Sequence, residues 1–365
     1  MRILIMVHNL TGGGAERVAA LWVTGFVERG HEVGLVLSTN RADEQTYPIP
    51  DAVKRYMISS WIANKLYRKF GLEDYYIKHL RNVVEDFCPN VIIGVLLPWA
   101  EWARKATVEM NIPIINTEHN ALDLPPYAPQ KRKDNLVKRF KLDNQYSHVT
   151  VLTQADKNVV EGRLRHISVL PNPLAFKPAS TLPKKENVIL AAGRLDIWHI
   201  KGFDLLIEAW GKIAKDYPQW KLLIAGKDKN NAQSYLQTIA HKAKIGEQIV
   251  FLGFQNDLMP YYQQSSVFVL SSRYEGFGMV LIEAMSQGCA PIACDYKGRQ
   301  REIITSDEEG VICPVDDVDA LASAIRRMVE DETYRHNIQQ NAIERSRHYC
   351  LSNIMDKWEK ILNEL

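Results

Sequence analysis

The sequence predicts an α/β fold: two tandem Rossmann-like domains, each a doubly wound parallel sheet, facing a central cleft. Short apolar runs alternate with amphipathic stretches along the whole chain, the mark of parallel strands buried on both faces and joined by helices. The alternation pauses once, at VLPNPLAFKPASTLPKKEN (residues 169–187), a proline-rich stretch without helical period that reads as an interdomain linker. At 365 residues the chain has room for two domains of ordinary size, each able to bury its own core.

The elements follow in order. RILIMVH reads as a strand, GAERVAALWVTGFVERG as a helix stopped at Gly30, and EVGLVLS as the next strand. VIIGVLL, PIINTE and HVTVLTQ continue the series. After the linker, NVILAAGR is a strand, FDLLIEAWGKIAKDY a helix, and WKLLIAG, QIVFLG, VFVLSS, APIACD and GVICPV are strands. DVDALASAIRRMVED and TYRHNIQQNAIERSRHY are helical, and LSNIMDKWEKILNEL closes the chain as an amphipathic helix. The expected division is an N-terminal domain over 1–172, completed by the helix 351–365, and a C-terminal domain over 173–350. Ligands of such sheets bind at the carboxyl ends of the strands, and with two facing domains the cleft between them is the default site.

Composition narrows the function. A formal net charge of +2 excludes a strongly basic nucleic-acid binder. Up to Asn172 the chain carries four more basic than acidic residues, and beyond it two more acidic than basic, so the first half is the one inclined to meet an anion. Cys88, Cys289, Cys294, Cys313 and Cys350 form no C-x-x-C pair and read as reduced, mostly buried thiols of a cytoplasmic protein. The first strand starts at residue 2, so no signal peptide is expected, and no apolar run approaches the roughly 20 residues that span a bilayer.

Three loops carry chemistry. The first βα turn, HNLTGGGAER, leads glycines into a helix, an arrangement that lets an anion approach bare backbone at a helix N-terminus. It is not G-x-G-x-x-G, and the second strand ends in Ser-Thr-Asn rather than an acid, which argues against a nicotinamide dinucleotide. The matching turn of the second domain, AAGRLDIWHIKGFD, places Arg194 after a strand and Lys201 before a helix, two cations suited to a diphosphate. In RYEGFGMVLIEAMSQG, Glu275 falls in a loop and Glu283 about two turns into a helix that opens at Gly-Phe-Gly. A glycosidase needs its two carboxyls about 5 Å or 6.5–9.5 Å apart across one bond. Eight residues of loop and helix place these two on different parts of one elongated ligand instead, with helix-start N–H groups between them for a phosphate.

These residues resemble the retaining glycosyltransferases of family 4, which adopt the GT-B fold. EGFGMVLIE matches the family's E-x7-E motif, and GGGAER, TEHN (117–120), LPNP (170–173), GRL…KG, FLGF (251–254) and EAMSQGCAPIACD follow in the same order over almost the whole chain. The resemblance implies that Glu283 holds the ribose hydroxyls of a nucleoside diphosphate sugar, most commonly a UDP-sugar. Glu275, with backbone at Phe277, Gly278 and Met279, would hold the donor sugar and phosphates. Arg194 and Lys201 would neutralise the diphosphate as it leaves, and backbone around Phe254 would face the base. Gly13 and Gly14 would approach the phosphate from the first domain, and His119 would sit near the reacting carbon or the donor sugar. The connection LDIWHI between Arg194 and Lys201 is longer than in many relatives.

The implied chemistry retains anomeric configuration and needs neither metal nor cofactor. The leaving phosphate can take the acceptor's proton, so catalysis lies in positioning and in stabilising the diphosphate. The acceptor would be a glycan or a glycan on polyprenyl pyrophosphate or another lipid. Two stretches mix cations with aromatics in a way that suits an anionic membrane surface: Trp61, Lys65, Tyr67, Arg68, Lys69 and Phe70, then Lys131, Arg132, Lys133, Lys138, Arg139 and Lys141. A cytoplasmic protein, peripheral on the inner face of the membrane, is the resulting expectation. A sugar-nucleotide 2-epimerase, a non-catalytic sugar-nucleotide-binding protein and a glycosidase are the alternatives on the same residues.

Overall fold

The computed structural model describes residues 1–11, 13–38, 46–58, 73–125, 128 and 142–365. It divides the chain into two compact units, Met1–Ala175 with Leu351–Leu365, and Phe176–Cys350.

The first unit is a seven-stranded parallel sheet in the order β3-β2-β1-β4-β5-β6-β7. Its strands are β1 (Arg2–Val7), β2 (Glu32–Leu37), β3 (Lys54–Met57), β4 (Val91–Val95), β5 (Ile114–Thr117), β6 (His148–Val151) and β7 (Ile167–Val169). Its helices are α1 (Gly14–Glu28), α2 (Glu73–Phe87), α3 (Leu97–Ala106) and α4 (Gln154–Val159). The central strands are apolar throughout because helices cover both faces: Ile3, Leu4, Ile5 and Met6 have no exposed surface. The polar edge strand KRYM and the short ISV carry no such signal and escape the sequence reading. The closing helix of the chain, Leu351–Asn363, packs on α1, with Met355 against the bare Cα of Gly25 and Trp358 against Trp22 and Phe26.

The second unit is a six-stranded parallel sheet in the order β10-β9-β8-β11-β12-β13. Its strands are β8 (Glu186–Ala192), β9 (Lys221–Ala225), β10 (Ile249–Gly253), β11 (Ser265–Leu270), β12 (Ala290–Cys294) and β13 (Val311–Cys313). Its helices are α5 (Trp198–Lys201), α6 (Phe203–Ile213), α7 (Ala232–Lys242), α8 (Met259–Gln264), α9 (Met279–Ser286), α10 (Val318–Glu330) and α11 (Glu332–Ser346); the closing helix of the first unit is then α12. Trp210, Leu206, Ile224, Ile292 and Ile325 lie in its fully buried core. The strand order reverses between β8 and β11, so the loops leaving these two neighbours splay apart and leave a crevice at their carboxyl ends. Among the described residues no helix is long and apolar enough to cross a membrane. Three of the five thiols are buried, as expected, but Cys88 is exposed and Cys350 half-buried.

Candidate active site

The loops after β8 and β11 meet at the switch point of the second sheet. After β8 the chain runs through Arg194, a 3-10 turn and α5 to Gly202, which bends into α6 with φ +66°. That left-handed bend needs glycine twice over, since a Cβ there would also lie 1.9 Å from the Ser271 carbonyl oxygen. The LDIWHI connection is therefore an ordered 3-10 turn followed by a turn of α-helix rather than a loose loop, and it delivers Lys201 to the β11 loop.

There Lys201 Nζ donates to Glu275 Oε2 at 2.7 Å, with the two side chains 19% and 14% exposed. Ser272 Oγ donates to the same oxygen at 3.2 Å, and Ser271 Oγ donates to the Lys201 carbonyl at 3.0 Å. Arg273 completes the joint. Its guanidinium donates to both Asp204 oxygens (2.8 and 2.9 Å), to Asp316 (2.5 Å) and to the His199 carbonyl (2.7 Å), while its backbone N–H donates to Ile200 at 2.8 Å. Sequence reasoning passed over Arg273 and Ser272; their only signal was adjacency to Glu275.

Arg194 does not join this pair. Its side chain is 60% exposed and bidentate on Asp196 at 2.6 and 3.2 Å, which holds the Asp196 carboxyl below its ordinary range. Phe254, at the end of β10, is exposed, with Lys227 Nζ 5.7 Å from its ring centre. Gly278 caps α9 with φ +100°, and no side chain caps that helix start, where the backbone of Phe277, Gly278 and Met279 lies. Glu283 is the fifth residue of α9, so it sits little more than one turn in rather than two, because the helix starts at Met279. It is 1% exposed, and Tyr262 Oη donates to its Oε2 at 3.1 Å. The two glutamates thus have different partners, Lys201 for one and Tyr262 for the other.

The remaining predicted residues belong to the first unit. Gly13 is the N-cap of α1 and Gly14 its first residue. A Cβ on Gly13 would fall 1.8 Å from Glu16 Oε2, so a carboxylate of the chain itself lies against this helix start. Burial raises the pKa of Glu16, opposed by a backbone hydrogen bond. His119 follows β5, its ring 5.4 Å from that of Trp22. Thr117 Oγ1 donates to the Gly94 carbonyl (3.2 Å) and lies 3.1 Å from His119 Nε2. Burial pushes the His119 ring down to about 4, opposed by a side-chain hydrogen bond with Asn172. The basic and aromatic clusters at 61–70 and 131–141 lie outside the described residues.

Family comparison covers both units. A model for glycosyl transferases group 1 matches residues 174–345, the unit that holds the Lys201–Glu275 joint, and one for glycosyltransferase family 4 matches residues 12–175. The chain belongs to the family 4 glycosyltransferases. It is 26% identical, over all of its length and 99% of the relative's, to the GalNAc-alpha-(1->4)-GalNAc-alpha-(1->3)-diNAcBac-PP-undecaprenol alpha-1,4-N-acetyl-D-galactosaminyltransferase of Campylobacter jejuni. It is 28% identical, over 99% of both chains, to the amylovoran biosynthesis glycosyltransferase AmsD of Erwinia amylovora. The structure of Anabaena HepE, solved with UDP and glucose, superposes with a TM-score of 0.78 at 18% identity over 100% of both chains. As a family 4 glycosyltransferase with two parallel-sheet α/β units, the protein has the GT-B fold.

Proposed function

We propose that this glycosyltransferase moves a sugar, with retention of configuration and without a metal, from a nucleoside diphosphate donor to a glycan carried on a lipid diphosphate. Uridine is the proposed base. The observation that carries the reading is the Lys201–Glu275 contact at the switch point, which puts a cation and a hydroxyl-accepting carboxylate within 2.7 Å of one another.

In this reading Glu275 accepts hydroxyls of the donor sugar. Lys201, already beside it, meets the diphosphate as negative charge grows on the leaving group, where preset charge lowers a barrier most effectively. Arg194 is the second cation, and it turns from Asp196 to the diphosphate. The uncapped N–H groups at Phe277, Gly278 and Met279 receive phosphate or sugar oxygens. Glu283, whose carboxyl accepts from the Tyr262 hydroxyl, takes the ribose hydroxyls. Backbone around Phe254 takes the base. Gly13 and Gly14 serve a phosphate, and Glu16 must first leave Gly13. His119 lies near the reacting carbon or the donor sugar. No protein base is needed, because the leaving phosphate takes the acceptor's proton.

The lipid-linked acceptor is supported by the Campylobacter relative, whose name specifies a glycan on undecaprenol diphosphate, and a role in polysaccharide synthesis by the Erwinia relative named for amylovoran biosynthesis. Attachment to the inner face of the cytoplasmic membrane is part of the same proposal; sedimentation with anionic vesicles at low salt and release at high salt tests it. The reaction is tested by incubating a panel of UDP-, GDP- and ADP-sugars with polyprenyl-diphosphate-linked oligosaccharides and reading nucleotide release and product anomer. An α-linked product from an α-linked donor supports the proposal. Isomerisation of the donor without acceptor would identify an epimerase, and binding without turnover a scaffold.

A further inference from the structure

Lys185 stands just before β8, half-buried and with no carboxylate beside it among the described contacts. Its ammonium donates to the carbonyl of Tyr262 at 2.9 Å and to that of Gln287 at 2.7 Å. Burial lowers its pKa. The neighbouring Cys289 thiol, which donates to the same Tyr262 carbonyl at 3.1 Å, is pushed up to about 11 by burial and gives no thiolate to balance the charge. What balances it is helix ends. Tyr262 lies among the last four carbonyls of α8, and Gln287 is the C-cap of α9, so both oxygens lack an onward helical partner and carry the negative end of their helix.

The two helices tied in this way carry the two halves of one hydrogen bond, Tyr262 Oη on α8 to Glu283 Oε2 on α9. The same end of α9 is held by two further bonds, Gln287 Nε2 to the Lys177 carbonyl at 3.0 Å and Ala179 N–H to the Ser286 carbonyl at 2.8 Å. We propose that Lys185 is a positioning residue for the nucleotide grip: by clamping the carbonyls of Tyr262 and Gln287 it fixes the Tyr262 hydroxyl against Glu283 and aims that carboxylate at the ribose. The inference rests on the donor-site reading above, in which Glu283 takes ribose hydroxyls. Lys185 touches no ligand itself, so its loss changes how the ribose is held and leaves the diphosphate contacts at Lys201 in place.

The test compares calorimetric binding of UDP and 2′,3′-dideoxy-UDP by the full chain. The wild type should prefer UDP by on the order of tenfold or more, the worth of a charge-assisted hydrogen bond. Lys185→Met, similar in length and uncharged, should bind dideoxy-UDP as the wild type does and UDP about as weakly, so that the preference disappears. A variant that keeps the wild-type preference overturns the proposal, as does a wild type that binds both nucleotides equally. A wild type that binds neither overturns the donor-site reading beneath it. Tyr262→Phe removes only the hydroxyl and guards against a Lys185→Met chain that does not fold: it should lose the same preference, and if it keeps the full preference the proposal fails.

Discussion

Lys201 and Glu275, 74 positions apart in the chain, meet at 2.7 Å with both side chains largely enclosed. In the unliganded protein each neutralises the other, so a donor must enter an existing ion pair. Glu275→Gln keeps the shape and frees the cation. Its turnover should fall about a hundredfold or more, while UDP binds several-fold tighter because Lys201 is no longer neutralised. Steady-state kinetics and UDP titration of one preparation check both arms. Near-normal turnover would refute the assignment of Glu275.

Lys201→Ala removes the other half. Turnover should fall on the order of a hundredfold or more, and UDP affinity should drop with it, opposite in direction to Glu275→Gln. The opposed signs separate loss of a cation from mere loosening of the loop.

Arg273→Ala unties the β11 loop from the turn that carries Lys201. Asp204, 22% exposed, is left without its bidentate partner. The expected cost in urea unfolding is about 2 kcal/mol, less than for a fully buried pair. Turnover should fall about tenfold with KM little changed, because the joint positions Lys201 against Glu275 without touching substrate. Arg273→Lys should recover only part of the loss, since an ammonium cannot match the forked contact with Asp204.

His119 gives a pH signature. Its ring is held at about 4, against 6.5 for the free side chain, because burial disfavours the cation. As pH falls from about 6.5 to about 4 the unfolded chain takes up a proton that the folded chain refuses. Stability therefore drops through that window and is unaffected by this group above it. Urea unfolding at pH 7 and pH 5 should show a smaller acid loss for His119→Gln than for the wild type. Equal losses would contradict the buried neutral ring.

Trp358 has no exposed surface, and its ring meets that of Trp22 at 5.0 Å, which in turn lies 5.4 Å from His119. Trp358→Ala should cost about 3–5 kcal/mol, the range for emptying a large aromatic site. The α12 helix is thus a structural part of the first unit, and the thermal midpoint of the variant measures its share.

What the sequence made legible was periodic. Every apolar run read as a strand became one, with QIVFLG and GVICPV at the two edges of the second sheet, and Gly30, Gly202 and Gly278 stand at positive-φ helix ends. The site residues were legible as types in loops, which is why Lys201, Glu275 and Glu283 could be singled out. Their partners were not. That Glu275 pairs with Lys201, that Arg194 turns to Asp196 and that Glu283 pairs with Tyr262 depend on how neighbouring loops and helices pack, and no spacing along the chain encodes that. KRYM and ISV were missed because an edge strand need not be apolar on both faces.

The measurement that bears most directly on the central claim is calorimetric titration of UDP into the wild type and into Lys201→Ala. The account predicts saturable one-site binding by the wild type, weakened about tenfold or more in the variant. Equal affinity in the two proteins, or no binding of UDP, GDP or ADP by the wild type, would contradict a nucleoside diphosphate site at the Lys201–Glu275 pair.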